Sequence, residues 1–327
     1  MYTLSVLLAG AAIWWVLLRG SNGPEIEHRT SSTSIVSTHY TDSIEWIPIQ
    51  WESDETSDRA AMYLPVYLDT ISKPLLFQFD LGSPYSLCYN VSNVFPALKI
   101  AEQQKALKTG DGQWLNAYSN ISLRLGTKGC YNATLLPIFA QVVYDSIAEK
   151  DSQYIDKIGT LGYDAIEGRI LIIDFIHSRV AITDSLPVSM VSKLHVIPGA
   201  LVSNDPIYLP IQIGSERKLM RYDNGSSAFT IITDTILWNK WRNPTIEIDT
   251  FEGNSWGKAI DLLRSPSLVP IHFLDIQFTR PPIWSRRDYN PQSYKEVFNG
   301  DIGNEFFRNQ IVVFDTKHNV FGILKDR

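Results

Sequence analysis

The chain of 327 residues repeats one short motif, and this repeat limits the folds open to it. Residues 77–83 read Phe-Gln-Phe-Asp-Leu-Gly-Ser, and residues 220–226 read Met-Arg-Tyr-Asp-Asn-Gly-Ser. Both copies place an Asp-x-Gly-Ser turn directly after a short strand pattern, at Asp80 and at Asp223. A strand and turn repeated within one chain predict two halves of similar structure.

A second pair of landmarks follows the two turns in the same order. Gly162 precedes an apolar run that ends at Asp174, and Gly303 precedes another apolar run that ends at Asp315, with equal spacing. Landmarks that recur in constant order and at nearly constant spacing indicate an internal duplication.

The composition favours a mainly β protein. The chain contains 17 Pro, 19 Gly, 15 Tyr, 14 Phe and 9 Trp, and its apolar runs are short and bounded by turn residues. We predict an all-β fold with a few short helices, in two duplicated lobes at residues 44–190 and 195–327. The segments that resemble helices are residues 97–107, 143–156, 233–241 and 255–263.

The N-terminal segment is apolar, since residues 2–18 carry no charged side chain. This run is at the short limit for a membrane-spanning helix. Residues 1–19 are either an uncleaved anchor or a cleaved signal segment, and the length of the run favours a single-pass anchor. Residues 20–43, rich in Ser and Thr, would form a tether.

Arg19 and Arg29 favour a cytoplasmic domain by the positive-inside rule, but two charges decide little. We expect the domain on the non-cytoplasmic side, and a secreted protein if the segment is cleaved.

Several classes of function find no support in the sequence. The net charge of −6 and the lack of a Lys/Arg-rich block argue against nucleic acid as a partner. The two cysteines and six histidines show no metal-ligand spacing, so we expect no metal and no cofactor. Cys88 and Cys130 would form a disulfide in an oxidising compartment or two buried thiols in the cytosol, and the N-terminal segment favours the disulfide.

The two repeated turns suggest a shared pair of carboxylates. One Asp-x-Gly-Ser by itself is usually an ordinary turn, but two copies at matching positions favour a pair formed by Asp80 and Asp223. Carboxylates about 3 Å apart cannot both be ionised, so such a pair holds one proton. The ionised member would act as general base on a water, and the protonated member would polarise a substrate carbonyl. The residues expected to support the pair, through tight turns and hydroxyl hydrogen bonds, are Gly82, Ser83, Gly225 and Ser226.

The order of these motifs resembles that of the bilobal, pepsin-like aspartic proteases, which are related to the retropepsins. It combines the two Asp-x-Gly-Ser turns with Thr-Leu-Gly at 160–162, Ile-Gly-Asn-Glu-Phe at 302–306 and Val-Phe-Asp-Thr-Lys at 313–317. The resemblance extends over most of both lobes and suggests a divergent, bacterial-type member. It implies two β-barrel-like lobes, a cleft for an extended peptide or protein substrate, and an aspartic endopeptidase with Asp80 and Asp223 as its catalytic pair.

Two positions depart from the pattern of that family. The family normally has Thr or Ser after each catalytic Asp, and the two hydroxyls join the active-site loops; this chain has Leu81 and Asn224. Leu81 cannot donate such a bond, and Asn224 can make only part of it. The alternative function is therefore a catalytically inactive protein of the same fold that binds peptides or serves as a scaffold.

Two aromatic residues fall in the region where the family has a hairpin over its cleft. Trp114 or Tyr118 would bind substrate there, or else be an ordinary core or surface aromatic. We expect a monomer, because both halves of the site are present in one chain.

Overall fold

The computed structural model describes residues 7–8, 44–68, 73–88, 104–108, 114–127, 129–137, 157–255, 258–273, 276–287 and 299–325. Most of these residues lie in strands, which confirms the predicted mainly β class with few short helices. The described strands are, in chain order, β1 (Leu7–Leu8), β2 (Ile47–Pro48), β3 (Gln50–Glu52), β4 (Ala61–Leu68), β5 (Leu75–Phe79), β6 (Leu87–Cys88), β7 (Gln104–Lys108), β8 (Trp114–Leu125), β9 (Gly129–Pro137), β10 (Lys157–Leu161), β11 (Ile170–Asp174), β12 (Arg179–Thr183), β13 (Leu194–Val196), β14 (Tyr208–Ile213), β15 (Glu216–Tyr222), β16 (Ile231–Thr233), β17 (Asp249–Ser255), β18 (Lys258–Pro266), β19 (Ile271–Phe273), β20 (Ile276–Phe278), β21 (Pro282–Arg286), β22 (Asp301–Ile302), β23 (Ile311–Asp315) and β24 (Val320–Leu324).

The strands form three sheets. An eight-stranded sheet from the first half of the chain has the order β3-β4-β5-β10-β6-β9-β8-β7. A ten-stranded sheet, built almost entirely from the second half, has the order β1-β17-β18-β21-β16-β22-β15-β14-β19-β20. A six-stranded sheet, β13-β24-β23-β11-β12-β2, takes strands from both halves and therefore joins them.

The centre of the six-stranded sheet consists of two uninterrupted apolar strands. β11 and β23 pair antiparallel, with Ile172 opposite Val313. All five residues of β11 are buried, and so are four of the five residues of β23. A continuous run of β-branched residues is typical of a strand buried on both faces, and these two runs occupy that position.

The strands around the two Asp-x-Gly-Ser turns pair in the same way. β4 and β5 form an antiparallel hairpin, β10 lies parallel to β5, and β10 pairs antiparallel with β6. β14 and β15 likewise form an antiparallel hairpin, β22 lies parallel to β15, and β22 pairs antiparallel with β16. The N–H of Asp80 donates to Leu161 O at 3.0 Å, and the N–H of Asp223 donates to Ile302 O at 2.9 Å. Each aspartate thus begins its turn at the end of a parallel strand pair.

The described residues contain two short α-helices, α1 (Val188–Val191) and α2 (Thr235–Trp241), and 3-10 helices at Tyr163–Ala165 and Asn304–Phe307. The helix predicted at residues 233–241 is confirmed by α2. Asp234 caps it by accepting hydrogen bonds from the N–H groups of Ile236 and Leu237, at 2.7 and 2.9 Å. Its buried face presents Trp238 and Trp241.

The helix predicted at residues 255–263 is wrong. That segment belongs to the antiparallel hairpin of β17 and β18, in which Ile260 and Leu262 are buried. Their spacing of two is that of a strand with one buried face. The end of the segment 97–107 is also a strand, β7, and the segment 143–156 lies outside the described residues.

The predicted anchor and tether lie outside the described residues, apart from Leu7–Leu8. These two residues form β1, parallel to the end of β17. Across the part of the chain that the structure describes, no helix has the length and apolar character needed to cross a membrane.

Candidate active site

The structure brings Asp80 and Asp223 together. Asp80 follows β5 and Asp223 follows β15, and the solvent-exposed fractions of the two residues are 0% and 1%. The carboxyl group of Asp80 lies beside Asp223, whose side chain and negative charge both raise the pKa of Asp80. The two turns also approach each other closely, because a Cβ placed on Gly82 would lie 2.6 Å from Asp223 Oδ1. Only a glycine at position 82 leaves room for the opposing carboxyl.

The serines of the two turns have different roles. Ser226 supports its aspartate as predicted, because its hydroxyl donates to Asp223 Oδ2 and its N–H to Oδ1, both at 3.2 Å. Ser83 Oγ instead donates to Tyr85 O at 2.8 Å. The carboxyl of Asp80 accepts a hydrogen bond from the N–H of Gly82, at 2.9 Å. Gly225 is buried within the second turn. The second turn therefore provides more hydrogen-bond donors to its carboxylate than the first.

One hydrogen bond joins the two turns. The N–H of Leu81 donates to the side-chain oxygen of Asn224, and both residues are fully buried. Asn304, which lies shortly after β22, supports the second turn with two hydrogen bonds. Its Nδ2 donates to Asn224 O at 3.3 Å, and its Oδ1 accepts from the Tyr222 hydroxyl at 2.7 Å. Asn224 thus makes one half of the connection between the turns, as its amide group permits, while the side chain of Leu81 packs in the core.

A buried ion pair adjoins the second carboxylate. Arg221, in β15, donates from Nε and Nη2 to the two carboxylate oxygens of Asp301, at 2.6 and 3.0 Å. The same Nη2 lies 3.4 Å from Asp223 Oδ2. This pair was not predicted from the sequence, although an arginine between two apolar residues of a strand requires an acid nearby when it is buried.

The location of the proton follows from burial and charge. Burial, with the negative charge of Asp223 adding to it, raises the pKa of Asp80 well above its ordinary value. No N–H or O–H group among the described residues donates to Asp80 Oδ2. Burial also raises the pKa of the Tyr222 hydroxyl. A raised pKa favours the protonated form of the Asp80 carboxyl.

The two aromatic residues predicted over the cleft lie on β8. Tyr118 is half-buried against the main core and pairs with Leu135 of β9 and Gln104 of β7. Trp114 is the first residue of β8, and its side chain lies outside the described residues. A role for either residue in binding substrate stays a prediction.

The predicted disulfide also stays a prediction. Cys88 is buried at the end of β6, and of Cys130 the structure describes only its position in β9. Among the described residues, no group of three or more His, Cys, Asp or Glu side chains is arranged to hold a metal ion.

Comparison with known proteins gives similarity at the level of structure. No family model and no curated protein sequence matches the chain. The fold is similar to that of conglutin gamma, a basic 7S globulin from lupine seeds, with 7% sequence identity and a TM-score of 0.46. That match covers 88% of this chain and 96% of the lupine chain.

Proposed function

We propose that the chain is an aspartic endopeptidase of the pepsin-like type, with Asp80 and Asp223 as its catalytic pair. The observation that carries the proposal is the contact between these two carboxyl groups at the ends of two equally constructed strand arrangements. A buried pair of carboxyls that holds one proton can supply a base and an acid at one place.

The proposed reaction uses both members of the pair. Asp223, ionised, takes a proton from a water as the water oxygen attacks the carbonyl carbon of the peptide bond. Asp80 gives its proton to the carbonyl oxygen, which forms a tetrahedral diol. When the C–N bond breaks, Asp223 gives its proton to the leaving nitrogen and one hydroxyl of the diol gives its proton to Asp80, so that an amine and a carboxylic acid leave and the pair returns to its starting protonation. No covalent bond to the protein is needed.

The bilobal organisation belongs to the same proposal. The repeated pairing around the two turns, with each half of the chain contributing its own large sheet, supports duplicated lobes at residues 44–190 and 195–327. The substrate would be a peptide or protein segment in extended conformation between the lobes. We further propose a monomer that residues 1–19 hold at a membrane.

A second candidate function is peptide binding without cleavage. Leu81 is the observation that favours it, since its side chain packs in the core and offers no hydroxyl to a second bond between the two turns. A less constrained pair of turns holds the carboxyls and the attacking water less well, and small displacements reduce rates strongly.

An assay of the cleavage of an unfolded protein tests the proposal. It measures the appearance of new amino groups at pH values between about 3 and 7. We expect Asp80→Asn and Asp223→Asn each to lower the rate about 100-fold or more, because each removes one proton-transfer group. Asp249→Asn, which changes an exposed aspartate in an ion pair with Arg264, is the matched control and should retain activity. Cleavage that survives either change at the pair contradicts the proposal. Tight binding of peptides without cleavage by the wild type would support the second candidate.

A further inference from the structure

The ion pair of Arg221 and Asp301 lies beside only one of the two carboxyl groups. Arg221 is two residues before Asp223 and faces Asp301 across the parallel pair of β15 and β22. Its side chain is 7% exposed and that of Asp301 is 9% exposed. Burial of two charges is costly unless their geometry is good, and here both guanidinium–carboxylate bonds are short.

The matching position in the first half is neutral. Gln78 is two residues before Asp80, and it faces Thr160 across the parallel pair of β5 and β10. Gln78 and Thr160 are also buried. In both halves, a residue two positions before the aspartate pairs with a residue of the neighbouring parallel strand. These two positions hold neutral residues in the first half and oppositely charged residues in the second.

The charge of Arg221 reaches the catalytic pair directly. Its Nη2 is 3.4 Å from Asp223 Oδ2, and the same oxygen accepts the Ser226 hydroxyl. A positive charge within about 4–6 Å favours the ionised form of a carboxyl group. The charged groups that surround Asp223 are Asp80 from the facing turn, Arg221 from its own strand, Asp301 from β22, and Arg286 from β21, whose charge acts on Asp301.

We propose that Arg221 is a positioning residue that, held by Asp301, keeps Asp223 as the ionised member of the pair and leaves the proton on Asp80. This inference rests on the proposed function in so far as it assigns the base of the reaction to Asp223 and the acid to Asp80. Burial and the negative charge of Asp223 raise the pKa of Asp80, and these causes outweigh the charge of Arg221, which lowers it.

The effect on pH dependence has a defined sign. A positive charge beside Asp223 favours loss of the first proton from the pair, and it also favours loss of the second. Removal of the Arg221 charge therefore moves both limbs of a bell-shaped pH profile to higher pH. Removal of Asp301 in the same variant takes away a negative charge that acts on Asp223 in the opposite direction, and the contact of Arg221 with Asp223 at 3.4 Å makes the effect of Arg221 the larger one. A merely structural role for Arg221 would lower the amount of folded protein and leave the position of the limbs unchanged.

The test variant replaces the ion pair by the two residue types found at the matching positions of the first half. Arg221→Gln with Asp301→Thr reproduces the neutral residues that already occupy the matching positions, and it leaves neither member of the ion pair buried alone. Arg221→Met with Asp301→Asn is a second charge-free pair if the first fails to fold. Arg221→Lys retains a positive charge. Arg264→Met with Asp249→Asn, an exposed pair in the β17–β18 hairpin, is the matched control.

Two measurements on the full chain decide the inference. The first is kcat/KM for peptide cleavage as a function of pH, with the double variant shifted upward and Arg221→Lys and the control close to the wild type. The second is the titration of the Cγ resonances of Asp80 and Asp223 by NMR, assigned with Asp80→Asn and Asp223→Asn. In the wild type Asp223 should ionise at lower pH than Asp80, and the double variant should ionise Asp223 about one pH unit higher.

The two measurements separate this inference from the proposed function. A wild type that cleaves no peptide at any pH contradicts the proposed function. The Cγ titration needs no catalytic activity, so it still tests the effect of Arg221 on Asp223 in that case. Equal midpoints for Asp223 in the wild type and the double variant overturn the inference, even if peptides are cleaved. Asp80 ionising before Asp223 in the wild type overturns it as well.

Discussion

The N–H of Leu81 donates a hydrogen bond to the side-chain oxygen of Asn224, and this bond joins the turn of the first half to the turn of the second. Both residues are buried, so the bond is shielded from water. The residue after each aspartate thus takes a different part in this hydrogen bond: Leu81 provides its backbone N–H, and Asn224 provides its side-chain oxygen. The relative placement of the two carboxyls therefore depends on this bond and on the close packing of Gly82 against Asp223.

Removal of the Asn224 side chain should therefore be costly. Asn224→Ala leaves the Leu81 N–H buried without an acceptor, which should lower the free energy of unfolding by about 1–3 kcal/mol. Asn224→Thr offers a hydroxyl oxygen as acceptor and should recover part of the loss. Denaturant unfolding of the three proteins measures both effects. Equal stability of Asn224→Ala and the wild type would show that the bond contributes nothing.

Asp164 should make stability depend on pH. It lies in the 3-10 helix Tyr163–Ala165, and its Oδ1 accepts a hydrogen bond from Ser86 Oγ at 2.7 Å. Burial raises the pKa of Asp164 from 3.8 to about 6. Because the folded state holds this proton more tightly than the unfolded chain, the stabilisation is complete below about pH 4 and is lost as the pH rises through about 6.

Asp164→Asn tests this dependence, because asparagine stays neutral and can still accept the Ser86 bond. We expect the variant to match the wild type near pH 4 and to exceed its free energy of unfolding by on the order of 2–3 kcal/mol at pH 7. Denaturant unfolding at several pH values gives the comparison. A constant difference between the two proteins from pH 4 to pH 7 would rule out the titration of Asp164 as its cause.

Gly303 should tolerate no side chain. A Cβ at this position would lie 2.1 Å from Ser226 O and 2.4 Å from Phe229 O, which are backbone atoms of the second Asp-x-Gly-Ser turn and of the segment that follows it. Gly303→Ala should lower the free energy of unfolding by about 3 kcal/mol or more, since backbone must move to relieve the overlap.

Gly168→Ala is the matched control for this prediction. Gly168 has a φ of +72°, and a Cβ there would meet no atom within 4 Å. Its substitution should cost only about 1 kcal/mol, from the left-handed backbone. If both substitutions have the same effect on denaturant unfolding, the close approach at Gly303 is not what requires glycine there.

Asp234 should stabilise α2 through its cap. Asp234→Ala removes the acceptor for the N–H groups of Ile236 and Leu237 and should cost about 1 kcal/mol. Asp234→Asn keeps an acceptor oxygen and should lose much less. Thermal unfolding of the two variants measures the difference, and a full loss in Asp234→Asn would point to the negative charge rather than to the hydrogen bonds.

Much of the fold could be predicted from local patterns. The apolar runs before Asp174 and Asp315 form β11 and β23, and the helix predicted at residues 233–241 contains α2. The segment 255–263 shows where local patterns fail. Its charged and apolar residues fit a helix as well as a strand, and only pairing with β17 and β21 selects the strand.

The candidate site divides in the same way. The sequence by itself determined the repeated Asp-x-Gly-Ser turns, the glycines that follow the aspartates, and the asymmetry between Leu81 and Asn224, because these are properties of consecutive residues. It could not show that Ser83 bonds to Tyr85 rather than to Asp80, since that choice depends on the path of the backbone.

The tertiary structure alone decided which distant side chains meet. It placed Asp301 opposite Arg221, and it set the guanidinium beside Asp223, through a parallel pairing of strands that lie far apart in the sequence. The register of such a pairing follows from the burial of whole strands and not from the residues of one turn. The physical reason is that the electrostatic interaction between a carboxylate and a guanidinium becomes strong when both are buried away from water. Only the folded chain buries them.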